Sequence, residues 1–418
     1  MAGISNRTSS SKAATLLSCR EIARASDDRR AVRCRRIAVP IAAGCLWAVA
    51  SCAHAAEWSF TPTYSSSVDY DSNRALELEP RASEAAVLTA DLRLQRALED
   101  SSILIEPRYT LRRFSDTRFG DGDDRSLATQ FQRAWERSVA SLNASIFDQS
   151  TLTTELLDTG LVRLDIHQRL IQAAGTWRWS LSERRQLFAS VSDSDVHYHG
   201  ALDADQVLPG YKYRVASLGE TFVVSETLQL DFSAFGSQIQ TDTVGNSSHE
   251  YGLQGQLTYA WSDRTRFVGS YGRSERVLAG RSSPGTDINL SLTHDVTLGS
   301  LSLSYVRSLV AIGLGFLEQR EVTAVNLSRE LAPHLKATLS YTHAKNDELA
   351  VVLSVDRPHY DYYLGTLDWH PQENWAVGLQ VGSVRTTGAG FFLQGQAVSQ
   401  WRSSVYLNWT PRPRVQSW

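Results

Sequence analysis

The side chains whose types and spacing could do chemistry fall into three sets. His197 and His199 alternate with Asp193 and Asp195. Alternate residues of an extended strand point the same way, so all four could share a face and hold a metal through imidazole and carboxylate groups. A solvated strand end accounts for the same pattern. Asp121, Asp123 and Asp124 crowd into a glycine-containing loop, where carboxylates could hold a divalent cation, but the remaining ligands of a calcium loop are missing and an ordinary acidic loop fits as well. The third set is spread along the chain: Asp91, Arg93, Glu106, Arg108, Arg112, Lys212, Arg214, Glu220, Asp231, Lys336 and Arg402. No nucleophile elbow, phosphate-binding loop, zinc-ligand pair or EF-hand spacing occurs in the context it needs. The expectation is a non-enzymatic protein with no cofactor and no metal.

The third set takes its meaning from the segments that carry it. After the first 56 residues, period-2 alternation recurs in stretches of about 10 residues, the pattern of strands with a dry face and a wet one. Tyr251, Leu253, Leu257, Tyr259 and Trp261 share one parity, and Gly252, Gln254, Gln256, Thr258 and Ala260 the other. Trp375, Val377, Leu379 and Val381 repeat the pattern, as do Leu335, Ala337, Leu339 and Tyr341 against Lys336, Thr338, Ser340 and Thr342. Ile103, Ile105, Tyr109 and Leu111 oppose Glu106, Arg108 and Arg112. Aromatic residues gather at segment ends, as interfacial girdles do.

Connections alternate in length. Short polar turns are expected at residues 99–102, 136–138, 182–185, 225–227, 262–265, 298–300, 330–334 and 371–374, and longer Asp-, Gly-, Ser- and Asn-rich loops at 115–126, 149–161, 199–210 and 387–399. Several turns share a hairpin repeat, as in Trp179-Ser180-Leu181-Ser182-Glu183-Arg184 and Ala260-Trp261-Ser262-Asp263-Arg264-Thr265. Short turns on the periplasmic side and long loops outside imply an all-β, transmembrane, antiparallel up-and-down β-barrel of about 18 strands, with about 16 also acceptable. Its last strand should run from Trp401 to Trp409, although the chain continues past that aromatic end. A large soluble β protein shares the alternation but not the asymmetry of the connections.

The chain before the first alternating segment runs from basic Arg29, Arg30, Arg33, Arg35 and Arg36 through apolar Ile37 to Ala50 and on to Ala53-His54-Ala55. That is a tripartite export signal, expected to be removed after Ala55 or Ala56. Its apolar core is shorter than the roughly 20 residues of a membrane helix. Val49-Ala50-Ser51-Cys52 also fits a lipoprotein box, a second reading of the same stretch. The expected organisation is a leader over 1–56 and a single barrel domain over 57–418.

The 418 residues hold four cysteines, all within the leader, so the mature chain has none for disulfides or thiolate ligands. The leader has nine Lys/Arg and three Asp/Glu; what remains is 33 basic and 42 acidic residues, a formal charge of −9. An acidic surface excludes nucleic acid as an expected partner, because such binding needs a concentrated basic face. The expected partners are outer-membrane lipids, the barrel assembly machinery and a hydrophilic solute.

Charges on a lipid-facing surface cost about 2–4 kcal/mol each near the midplane, so the charged set is expected to line the lumen. Such a lining makes a polar conduit with some basic bias, suited to anionic or hydroxylated solutes such as saccharides. A charge-paired closed interior, with loops that bind partners, is the alternative.

Tyr70-Asp71-Ser72-Asn73, Leu303-Ser304-Tyr305-Val306-Arg307-Ser308, and Asn326-Leu327-Ser328-Arg329-Glu330-Leu331 leading to Leu339-Ser340-Tyr341 carry a resemblance to a family. Across most of residues 58–410 the chain resembles the outer-membrane β-barrel porins associated with exopolysaccharide operons and PEP-CTERM/exosortase systems. The resemblance implies a role in secretion or surface assembly of polysaccharide, and it implies no catalytic residues.

Overall fold

A computed structural model describes residues 57–74, 76, 78–116, 121–151, 166–200, 209–241, 247–278, 281–311, 317–347, 359–387 and 397–417. The expected leader, with its cleavage site and Cys52, lies outside the described residues. Residues Glu57–Ser417 form one unit.

Its strands are β1 (Glu57–Asp71), β2 (Ser83–Ala97), β3 (Ser101–Phe114), β4 (Gly122–Trp135), β5 (Ser138–Ser150), β6 (His167–Ser182), β7 (Arg185–His199), β8 (Tyr211–Val223) and β9 (Leu228–Thr241). They continue as β10 (Ser247–Ser262), β11 (Thr265–Leu278), β12 (Arg281–Val296), β13 (Gly299–Ala311), β14 (Leu317–Ala332), β15 (Leu335–Asp347), β16 (His359–Gln372), β17 (Trp375–Thr387), β18 (Val398–Trp409) and β19 (Arg414–Ser417). From β1 to β18, consecutive strands pair antiparallel, and β1 pairs with both β2 and β18, which closes the sheet. Closure leaves no free edge along the wall.

β19 continues the last strand. Thr410-Pro411-Arg412-Pro413 interrupts it, because two prolines remove two ladder donors. Beyond the break, Arg414–Ser417 returns to pair with Phe60–Glu57 at the start of β1. The barrel is therefore 18-stranded, with its closing strand in two pieces. The strand expected over Trp401–Trp409 runs from Val398 to Trp409, and the chain past it adds β19.

All eight expected short turns fall between consecutive strands, several only two residues long, such as Asp263–Arg264 and Thr297–Leu298. Leu298 and His334 occupy such turns with φ of 66° and 69°, a conformation unfavourable for residues with a Cβ. The 115–126 loop is shorter than expected, since β4 already begins at Gly122.

Cross-strand register sorts side chains into two faces, because directly opposed residues point to the same side. Leu253 opposes Ala234, Leu303 opposes Leu292 and Val325, and Val405 opposes Val68 and Leu379. Leu253, Val405, Leu218 and Trp261 are all well exposed on this outer face. Tyr251 to Trp261 rises about 33 Å along β10, or about 25 Å at a strand tilt near 40°, the height of a bilayer's apolar band.

Aromatic rings gather at both margins of the band. Toward the short turns, Trp409 stacks between Tyr64 at 5.6 Å and Trp375 at 5.7 Å, and Trp177 on Trp179 at 6.0 Å. Toward the long loops, Tyr341 meets Tyr363 at 4.9 Å. Their amphipathic bodies suit a boundary between apolar and wet surroundings.

Candidate functional site

The inner face, opposite in parity to the apolar band, is polar over most of its area. One row runs Ser300, Ser328, Thr338, Thr366, Gln380 and Ser404, each residue directly opposite the next across β13 to β18. β13 contributes Ser300, Ser302 and Ser304, β15 Thr338, Ser340 and Thr342. This half of the wall is hydroxyl-rich and carries few charges.

The charges concentrate on β2–β4. Asp91 stands opposite Arg108, whose Nη2 approaches Asp91 Oδ2 to 2.6 Å. Arg93 lies 3.8 Å from Glu106, and Arg112 3.1 Å from Asp124. Pro107, on the other face of β3, lacks an N–H, and the β2–β3 register skips the residues beside it. All these charges point inward, as do Asp231, Lys336 and Arg402, with Lys336 opposite Asp368 and Arg402 opposite Asp71. Asp69, Asp71, Asp124 and Asp368 share the inner phase, so the interior lacks the basic bias read from the sequence.

Lys212, Arg214 and Glu220 are corrected: they face outward. β8 presents Ala216, Leu218 and Phe222 in their phase, and its neighbours place Val191 opposite Ala216 and Phe232 opposite Glu220. In the other phase lie Tyr211, Tyr213 and Val215, apolar enough to pass for the outer set when β8 is read alone. The outward charges are paired, and on β8 they flank the apolar Ala216 and Leu218. Arg214 Nε lies 2.8 Å from Asp193, Lys212 Nζ 3.2 Å from Asp195, and Arg185 Nη2 2.6 Å from Glu220.

The side chains of the two candidate metal sets are engaged in ion pairs and hydrogen bonds. Asp193, Asp195, His197 and His199 share one face, but each turns to another partner: His197 to Asp195 at 2.9 Å and His199 to Asp148 at 3.2 Å, with the two aspartates held by Arg214 and Lys212. Asp123 faces outward, accepting from Tyr109, while Asp124 faces inward on Arg112, and Asp121 pairs with Arg113. Among the described residues, no three His, Cys, Asp or Glu side chains are grouped to hold a metal ion.

A cavity of about 580 Å³ opens on the inner wall of β6–β10, bordered by Arg178, Phe188, Ser190, Ser217, Asp231, Phe235, Gln254 and Gln256 among others. Asp231 accepts from Thr221 Oγ1 at 2.5 Å, Gln229 Nε2 at 3.0 Å and Gln256 Nε2 at 3.0 Å. Asp231, Gln254 and Gln256 are the residues of this cavity that the sequence places on the polar face. Phe188 and Phe235 lie in the inner phase of β7 and β9, and their signal is a glycine directly across the ladder, Gly219 and Gly252.

Near the long loops the interior becomes buried and mixed. Ile166, Val196, Tyr198, Tyr211, Ile239, Leu309 and Leu317 form an apolar cluster. Beside it Glu250 stands opposite Arg276, yet Arg276 Nε and Nη2 donate to Ser283 Oγ at 3.3 Å and Glu250 Oε2 accepts from Ser237 at 3.2 Å. Glu250 Oε1 and Arg276 Nη1 have no hydrogen-bond partner among the described residues.

No family model and no curated protein matches the chain. Solved structures similar to it include Pseudomonas aeruginosa OpdQ, at a TM-score of 0.48 and 11% identity over 85% of this chain and 98% of that one. Acinetobacter baumannii OccAB4 gives a TM-score of 0.48 and 12% identity over 86% and 99%. The FrpB iron transporter from Neisseria meningitidis gives 0.43 and 10% over 79% and 62%.

Proposed function

We propose that the protein is an integral outer-membrane β-barrel that serves as a conduit for small hydrophilic solutes, saccharides among them. One observation carries this reading: a closed antiparallel cylinder whose outer face is an apolar band about 25 Å tall and whose inner face is lined with hydroxyl, amide and paired charged groups. A soluble protein would put its apolar side chains inside, the reverse of this arrangement. Water wets the hydroxyl wall, and a solute crossing it exchanges hydrogen bonds with water for hydrogen bonds with serine, threonine and glutamine at little net cost. The lipids of the bilayer are the partner of the band, and the aromatic margins mark where headgroups meet acyl chains. A barrel of this kind needs delivery across the inner membrane and the assembly machinery of the outer one, consistent with the export signal read in the leader. The resemblance to exopolysaccharide-operon barrels adds polysaccharide secretion or surface assembly as the setting.

The test is electrical. Protein refolded into planar bilayers is expected to give discrete, ion-conducting steps; a barrel that inserts and stays silent at all voltages would overturn the conduit and leave a scaffold whose loops bind partners.

A further inference from the structure

The cavity on β6–β10 pairs two features that have no common purpose in a plain water-filled pore. The first is a pair of aromatic rings whose tips reach over glycines of the neighbouring strands. Phe188 stands directly opposite Gly219, and a Cβ placed on that glycine would overlap the Phe188 ring. Phe235 stands opposite Gly252, where a Cβ would come within 2.9 Å of Phe235 Cζ. Each ring therefore lies across a glycine along the wall. Neither is fully buried, so both contribute surface to the cavity.

The second feature is a set of oriented hydrogen-bonding groups. Asp231 takes the Nε2 donors of Gln229 and Gln256, which leaves the carbonyl oxygens of both amides as acceptors. Gln254 is fixed in the same way by donating to Ser270 at 3.0 Å. The Ser190 and Ser217 hydroxyls are hydrogen-bonded at 2.7 Å, and Arg178 has no ion-pair or side-chain hydrogen-bond partner among the described residues. The cavity's 580 Å³ lies within the usual range for small-molecule sites.

A pyranose has what this wall lacks a partner for: a flat C–H face that packs on an aromatic ring, and a rim of hydroxyls that each donate and accept. We propose that the inner wall of β6–β10 holds a saccharide subsite, with Phe188 and Phe235 as ring platforms and Gln229, Gln254, Gln256 and Arg178 addressing the hydroxyls. This rests on the conduit reading and gives its solute a class. Asp231 is a positioning residue, since its oxygens are taken up by the side chains it orients.

Refolded full chain in planar bilayers, with maltotriose added at millimolar concentration, tests it. The expected result is transient block of the ion current, with Phe188→Ala and Phe235→Ala each weakening occupancy roughly tenfold. Phe232→Ala, on the outer face of the same strand as Phe235, is the control and should block like the wild type. A conducting wild type that maltotriose does not block, or block that survives both inner substitutions, overturns the subsite while leaving the conduit standing. No conductance overturns the conduit, and the subsite with it. A second measurement needs no variant: proteoliposomes should swell severalfold faster in glucose than in sorbitol, which has similar hydroxyls but no ring face. Equal rates would overturn the platform role of the two rings.

Discussion

Two ladders of acid–base pairs, built from the same residue types at the same cross-strand positions, face opposite ways. On β2–β3, Asp91 stands across from Arg108 and points into the lumen; on β7–β8, Asp193 stands across from Arg214 and points out. Their ion-pair distances, 2.6 and 2.8 Å, are nearly the same. The difference lies in the company along each strand. Asp91 alternates with Leu88, Ala90 and Leu92, which take the outer face, whereas Asp193 shares its phase with Ala189 and Val191. A local pairing pattern fixes which residues meet, and the apolar rows of the neighbouring strands fix what they meet in front of. Inside, a pair has water and further polar groups around it; outside, each charge has its partner on the neighbouring strand and apolar side chains beside it in the same phase.

The largest effect should come from carrying an outer charge into the middle of the apolar band. Ala216→Arg, on the outer face of β8, is expected to cost about 2–4 kcal/mol, while Ser217→Arg, one residue on and facing inward, should cost less than about 1 kcal/mol. Urea unfolding in lipid vesicles measures both, and equal costs would break the assignment of faces. Next, Gly219→Ala should cost about 1–3 kcal/mol, because the new methyl meets both the Phe188 ring and the backbone carbonyl of Phe232. A stability within error of wild type would show that the ring does not lie on the wall.

Smaller effects separate the ladders themselves. Double-mutant cycles on Asp193–Arg214 and Asp91–Arg108 should give coupling of about 1 kcal/mol or less for each, the outer larger than the inner, since water screens the lumen pair. In conductance, Arg108→Ala should shift the reversal potential toward cation preference and Asp91→Ala toward anion preference, each by roughly twofold in permeability ratio. Asp193→Ala should leave ion preference unchanged, and a shift there would put the β7–β8 ladder back in the lumen.

Much of the fold was legible in the sequence, for a physical reason. A strand with lipid on one side and water on the other writes its environment into residue parity, and β10, with Tyr251, Leu253, Leu257, Tyr259 and Trp261 in one phase, is unambiguous by itself. Two-residue turns such as Asp263–Arg264 are equally local. β8 is different. Its long-loop half puts Tyr211, Tyr213 and Val215 in one phase and its short-turn half puts Leu218 and Phe222 in the other, so parity within the strand contradicts itself and only register with β7 and β9 decides. Lys212, Arg214 and Glu220 were misread for that reason. Phe188 and Phe235 are illegible for another: an inward phenylalanine looks like noise on a polar face until its opposite glycine, in a different segment, shows where the ring lies.

The interruption at Thr410–Pro413 bears on how the cylinder shuts. β1 meets β2 over fifteen consecutive residue pairs, but meets β18 over eight and β19 over four, with the proline stretch between them. The seam joining the first strand to the last is thus more sparsely laced than the other side of β1. It also joins the most distant parts of the chain, so it closes the longest loop and should form last. A sheet that zips along hairpins and finishes at an interrupted seam keeps one side unlocked until the rest is built.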